Sequence, residues 1–142
     1  MRTRVAFFDM VEGTTNVTVF MKRGTKKHLS PDCIFCKIAR GELKSQIIQE
    51  DDQAVAFRDI NSQAPTHILI IPKKHIPTLA AASQQEGDLL GHLLLMARQI
   101  ASDEKLESGY RVVINNGVGA GQSVFHIHLH LLGGRVFTWP PG

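Results

Sequence analysis

Residues 126–130 read His-Ile-His-Leu-His. In a strand, successive side chains alternate faces, so His126, His128 and His130 share one face while Ile127, Leu129 and Leu131 take the other. Neighbouring imidazoles in such a row stand about 7 Å apart, two strand steps. Burial of apolar area does not explain histidine three times in strict alternation. Imidazole is a competent nucleophile near neutral pH, and adjacent imidazoles can orient it and move protons. Phosphorus is a natural target, because a nucleotidyl-histidine intermediate divides one displacement into two. The alternatives are a solvent-facing row or a metal chelate.

Such chemistry also needs a cradle for phosphate oxygens. The stretch Asn115-Asn116-Gly117-Val118-Gly119-Ala120-Gly121-Gln122-Ser123 runs directly into the histidine strand. Its glycines allow close backbone approach, and Ser123 and Asn115 offer hydrogen bonds. A second group of reactive side chains is Cys33-Ile34-Phe35-Cys36. Thiolates two residues apart suit tetrahedral zinc, which would need two further ligands; otherwise they are free thiols at the start of a short helix. A thioredoxin-like redox role lacks its βαβ setting.

The elements that position these groups follow from periodicity. Phe35–Arg40 reads as a short helix stopped by Gly41. Gln46–Glu50 and Gln53–Arg58 read as strands split by Asp51-Asp52, followed by a loop through Asp59 and Pro65 and an apolar strand Thr66–Ile71. Ser83-Gln84-Gln85-Glu86 is a capping box, after which Leu89, Leu90, Leu93, Leu94, Ala97 and Ile100 recur at helical spacing. Tyr110–Asn115 and Val124–Leu132 supply the fourth and fifth strands, the last ended by Gly133-Gly134. Five strands, one long helix and one short helix predict an α+β domain with a largely antiparallel sheet. His92 falls between leucines of the long helix and reads as a helix-face residue.

The whole chain, 142 residues and 43% hydrophobic, fits one compact domain able to bury roughly two-thirds of its unfolded surface. Wholesale disorder is excluded, and no apolar run approaches the roughly 18 residues of a membrane span. The pI of 9.1 is misleading until the charge is located. Residues 1–31 carry six basic and two acidic side chains, whereas the remainder carries ten and eleven. The excess belongs to the N-terminal extension, so no nucleic-acid face is expected on the body. Within the extension, Asn16–Phe20 alternates like a strand and Met21–His28 is a basic tail. Asp9 and Glu12 argue against a mitochondrial presequence, and no secretory signal precedes the Asn16-Val17-Thr18 glycosylation triplet, so a cytoplasmic location is expected, with mitochondrial targeting the alternative.

The run Gln122-Ser123-Val124-Phe125-His126-Ile127-His128-Leu129-His130-Leu131-Leu132-Gly133-Gly134-Arg135, with the terminal Trp139-Pro140-Pro141-Gly142, resembles the histidine triad (HIT) family and, within it, the Hint branch of nucleoside phosphoramidases. Phe57-Arg58-Asp59-Ile60, Ala64-Pro65-Thr66-His67 and Ile71-Pro72-Lys73-Lys74-His75 extend the likeness, which covers Cys33 to Gly142 and leaves residues 1–31 as a separate extension before a HIT domain over 32–142. The resemblance implies hydrolysis of purine nucleoside 5′-phosphoramidates, with His128 as the nucleophile that carries a transient AMP. It implies that His130 and Ser123 contact phosphate oxygens or the leaving group, and that His67 and His126 belong to the proton-relay and positioning shell. Asp59 would hold the ribose hydroxyls, Phe57 and Ile60 would line the purine pocket, and Asn115, Gly121 and Gln122 would complete the nucleotide site.

The same resemblance implies a homodimer that extends the sheet, with Trp139 near the partner's site, and no metal requirement for catalysis. In some bacterial-type members a Cys pair binds zinc with a histidine after the Ile-Pro-Lys segment and the first triad histidine; His75 and His126 stand in those positions beside Cys33 and Cys36. Such a zinc would be structural and would remove His126 from the relay. The rival readings are a nucleotide-binding sensor or interaction protein with incidental turnover, a dinucleoside polyphosphate hydrolase, and a metal-binding module.

Overall fold

The computed structural model describes residues 32–142; the strand expected over Asn16–Phe20 and the basic tail to His28 lie outside the described residues. The first element is helix α1 (Ile34–Ala39), whose N-cap is Cys33: its sulfur accepts the Cys36 N–H at 3.4 Å. Five strands follow, β1 (Ile47–Glu50), β2 (Ala54–Arg58), β3 (Thr66–Pro72), β4 (Tyr110–Val113) and β5 (Leu129–Gly133). They form one sheet in the order β1-β2-β3-β5-β4 with every pair antiparallel. Helix α2 (Gly87–Asp103) joins β3 to β4 and packs on β3 and β5.

β3 is the spine. The run His67-Ile68-Leu69-Ile70-Ile71 has no polar face because both faces are covered. Ile68 and Ile70 pack with Leu93, Met96, Ala97 and Ile100 of α2 and with Leu129 and Leu131 of β5. Leu69 and Ile71 pack on the opposite face with Val55 and Phe57 of β2 and with Phe35 and Ile38 of α1. The register places His130 opposite Leu69 and Leu132 opposite His67. His67 and His130 therefore share the α1 face as diagonal neighbours across the strand pair.

Two expected boundaries shift. The stripe of α2 is turned about its axis: Leu93, Met96, Ala97, Ile100 and Ala101 are buried, whereas Leu94 and Leu95 are exposed. The run Leu93-Leu94-Leu95-Met96-Ala97 is apolar all round, so periodicity alone does not set its phase. The fifth strand starts at Leu129, not Val124. Before it the chain bends, and the Ile127 N–H donates to the Ile76 carbonyl instead of joining a ladder. The histidine row is consequently split: only His130 lies in the strand.

Three polar devices fix the frame. Asp51 caps the β1–β2 turn by accepting the Gln53 and Ala54 N–H groups at 2.9 Å, and its second oxygen meets His92 Nε2 of α2 at 2.7 Å. Arg58 Nη2 on β2 donates to both carboxylate oxygens of Glu104 just past α2, at 3.0 and 3.1 Å. The capping box of Ser83 and Glu86 forms as expected, closing a turn of 3₁₀ helix before α2. Where β5 ends, a Cβ at Gly133 would meet Leu106 Cδ1 at 2.6 Å, and one at Gly134 (φ +88°) would meet Pro65 Cβ at 2.9 Å.

Candidate active site and metal centre

The two buried histidines of the segment 126–130, His126 and His128, face different neighbours. His128 Nδ1 lies 2.8 Å from the His126 carbonyl oxygen. A carbonyl can only accept, so Nδ1 carries the proton and Nε2 keeps its lone pair. Phe35 packs edge-on against the ring, with centroids 5.1 Å apart. Burial, helped by the neighbouring imidazole of His130, pushes His128 down to about 3, so the ring is neutral at physiological pH.

A chain of hydrogen bonds assigns the next two rings in the same way. The Gln63 N–H donates to His67 Nδ1 at 3.0 Å, so neutral His67 holds its proton on Nε2. That Nε2 lies 2.9 Å from His130 Nδ1 and 3.4 Å from Asp59 Oδ2. His130 Nδ1 is thus the acceptor, and its own proton sits on Nε2. Burial holds His67 below its ordinary value against the opposing pull of Asp59, and burial beside His67 takes His130 to about 4. The rings of His128 and His130 are 4.9 Å apart. Two neighbouring rings therefore offer a bare nitrogen, on His128, and an N–H, on His130.

His126 faces away from this pair. Its Nε2 donates to the Pro72 carbonyl at 2.7 Å, which leaves Nδ1 unprotonated. That nitrogen lies 3.5 Å from both Cys33 Sγ and Cys36 Sγ and 3.2 Å from His75 Nδ1; Cys36 Sγ lies 3.2 Å from His75 Nδ1. Zn–S and Zn–N bonds of about 2.3 and 2.0–2.1 Å at tetrahedral angles put ligand atoms roughly 3.3–3.8 Å apart. The set Cys33, Cys36, His75 and His126 fits that spacing and donor chemistry, with His126 already in the ligand tautomer and oriented by a backbone carbonyl. The Cys33 hydrogen bond holds Cys36 well below the ordinary thiol range, while burial pushes Cys33 up.

The remaining expected site residues surround the histidines in several roles. Asp59 accepts the Asn61 N–H at 2.8 Å besides contacting His67. Ile60 beside it is 86% exposed, an apolar side chain that the core does not use. Phe57 is buried edge-on against Phe35, at 5.6 Å, and so backs the site. Gln122 is buried and spends its amide on the loop: it accepts from Gly117 N at 2.7 Å and donates to the Pro77 and Val124 carbonyls. Gly117 and Gly121 both take positive φ, +92° and +91°, around the short 3₁₀ turn Val118–Ala120. Ser123 is exposed and Asn115 half-buried at the two ends of this loop.

Residues 40–137 match the family pattern of the HIT domain. The chain belongs to the HIT family. An HIT-like protein of Synechocystis is 54% identical over 114 residues, spanning 80% of this chain and all of that one. The 14 kDa zinc-binding protein of Zea mays is 55% identical over 111 residues, 77% of this chain and 87% of its own length. Among solved structures, a HIT family hydrolase of Legionella pneumophila is similar with a TM-score of 0.77 and 54% identity, covering 78% of this chain and all of that chain. A histidine triad protein of Clostridium difficile gives 0.76 and 41%, over 78% and 97%.

In this HIT domain the sequence pattern located every histidine of the candidate site, but three backbone groups and one side chain escaped it. The Gln63 N–H and the His126 and Pro72 carbonyls set ring tautomers, and main-chain atoms leave no residue-type signal. Arg135, whose Nε donates to the Gln63 carbonyl at 3.0 Å, lies within the Gly-Gly-Arg run but carries no motif of its own. Among the described residues, no helix is long and apolar enough to cross a membrane.

Proposed function

We propose that this HIT protein hydrolyses purine nucleoside 5′-phosphoramidates through a nucleotidyl-histidine intermediate, as expected of the Hint branch. The Legionella relative, named as a HIT family hydrolase, supports a hydrolytic role. One observation carries the reading: His128 Nδ1–H is fixed on the His126 carbonyl, so its Nε2 lone pair is free, neutral and buried beside an N–H donor. A neutral imidazole pre-set in the nucleophilic tautomer loses neither a proton nor time before attack.

The balance of the reaction follows. His128 Nε2 attacks the α-phosphorus, the N–P bond forms and the bond to the substrate amine breaks. His130 Nε2–H and Ser123 donate to the non-bridging oxygens as charge develops there. His67 cannot gain a second proton without losing the Gln63 hydrogen bond, so the His67–His130 chain serves as a fixed donor. The departing nitrogen takes its proton from a water molecule, and the hydroxide left behind attacks phosphorus, releasing AMP and returning the His128 lone pair. Asp59 and Ile60 would hold ribose and base, Phe57 would back the purine, and Asn115, Gly121 and Gln122 would shape the phosphate loop. His126 would act through its carbonyl, since both ring nitrogens point elsewhere. Zinc, when bound by Cys33, Cys36, His75 and His126, would supply cross-linking of α1 to the segment before β5. A second copy pairing on the edge strand β4 would extend the sheet and bring Trp139 near the neighbouring site.

The test is steady-state hydrolysis of an adenosine 5′-phosphoramidate with EDTA present, wild type beside His128→Ala, and acid-quench trapping of labelled AMP on the protein. Turnover and label that both vanish in the variant support the reading. Tight AMP binding without turnover in the wild type would replace it with a nucleotide sensor.

A further inference from the structure

We propose that Arg135 is a positioning residue for His130, acting through Gln63 and His67; this rests on the phosphoramidase reading above for its kinetic part only. The route is continuous. Arg135 Nε donates to the Gln63 carbonyl at 3.0 Å, the Gln63 N–H donates to His67 Nδ1 at 3.0 Å, and His67 Nε2–H donates to His130 Nδ1 at 2.9 Å. The first bond holds Gln63 in place, and the second decides the third, because a ring nitrogen that accepts from a backbone N–H forces the ring's proton to the other side.

The geometry that brings Arg135 to the loop is built in. Arg135 follows β5, the strand that carries His130, so the circuit starts and ends on one strand. Gly134 takes φ +88°, and its missing Cβ lets β5 run against Pro65, two residues past Gln63. The guanidinium is steadied by the Phe137 ring, 4.3 Å from its centroid, and makes no ion pair among the described residues. An exposed arginine whose charge meets no carboxylate among the described residues, and whose Nη1 reaches only the adjacent Val136 carbonyl at 3.3 Å, has a positioning task through the Gln63 carbonyl that its Nε holds. Loss of that anchor frees the segment 59–65, weakens the Gln63 N–H bond and lets His67 and His130 take the opposite tautomers. His130 would then turn a bare nitrogen toward the phosphate oxygens.

The experiment combines imidazole ¹⁵N–¹H NMR with kinetics on the full chain. In wild type at pH 7, His130 should show a protonated Nε2 and a bare Nδ1. Arg135→Ala should show a mixture of the two tautomers at His67 and His130, with kcat down roughly tenfold to a hundredfold and KM nearly unchanged. Arg135→Lys, which keeps a donor for the same carbonyl, should recover most of kcat. Wild-type tautomers and kcat in Arg135→Ala, or a fall in melting temperature alone, overturn the proposal. Equal losses in the Lys and Ala variants assign the effect to the Phe137 contact and also overturn it. If the wild type lacks phosphoramidase turnover, the function assigned above fails, while the tautomer comparison still decides the role of Arg135.

Discussion

The His126 carbonyl oxygen accepts the Nδ1–H of His128 at 2.8 Å, while the His126 ring points the other way, into the two thiols. One residue thus serves two clusters, its main chain setting the His128 tautomer and its side chain joining Cys33, Cys36 and His75, which could hold a metal ion. The bend before β5 makes this arrangement possible, since a regular strand would keep both rings on one face.

His128→Ala should lower phosphoramidate turnover by about four orders of magnitude or more, because the two-step route disappears. Affinity for AMP should stay within a few-fold of wild type. Asp59→Ala should do the reverse, weakening nucleotide binding by about 1–3 kcal/mol for a lost charge-assisted hydrogen bond. Isothermal titration with AMP beside steady-state kinetics separates the two; matching profiles would refute the assignment.

The buried imidazoles predict an acid-labile fold. His128 and His130 titrate at about 3 and about 4 when folded, and His67 is also lowered, so the unfolded chain binds protons first as pH falls. Their unfolded value is near 6.5, and stability should decline from there down to the folded values, by up to about 1.4 kcal/mol per pH unit for each ring. Urea melts between pH 7 and pH 4 should show this slope, and His128→Gln should flatten it. By the same neutrality, kcat/KM should not fall with histidine protonation between about pH 5 and 7.

Zinc should bind at one ion per chain and stabilise the fold. Chelation should lower the melting temperature by roughly 10 °C, the size expected when a ligand held well above its Kd is removed. Cys36→Ser should abolish stoichiometric zinc by elemental analysis and make the melting temperature insensitive to EDTA. An EDTA response that survives in the variant would place the metal elsewhere.

The Asp51 carboxylate ties three elements together through two backbone N–H groups and His92. Asp51→Ala should cost about 2 kcal/mol in denaturant unfolding, since two turn donors lose their acceptor. His92→Ala should cost less, about 0.5–1 kcal/mol, because the pair is half exposed and screened. A larger cost at His92 than at Asp51 would invert this account.

Much of this was legible in the residues. The number, order and type of the strands follow from β-branched runs and Gly-Pro punctuation, and the capping box placed the start of α2. What escaped has definite causes. The leucine-rich run in α2 has no polar face to fix its rotation, so Leu94 reads as core yet is exposed. The strand expected from Val124 fails over its first five residues because Ile127 bonds to Ile76 instead of a neighbouring strand. Chemical type identified His67, His75, His126, His128 and His130, but not which nitrogen of His67, His126, His128 and His130 carries the proton. That is decided by carbonyls of Pro72 and His126 and the N–H of Gln63, main-chain groups that carry no mark of residue type.

Gly133 and Gly134 bear on how tolerance to mutation should be interpreted in this chain. Neither touches a reacting atom, yet a side chain at Gly133 collides with Leu106, and at Gly134 it meets both Pro65 and an unfavourable backbone hand. A saturation screen scored by growth or colour would rank both beside the candidate-site histidines. Intolerance at these two positions reports how tightly the strand is threaded between its neighbours, and counting survivors would mistake a seam in the fabric for part of the machinery.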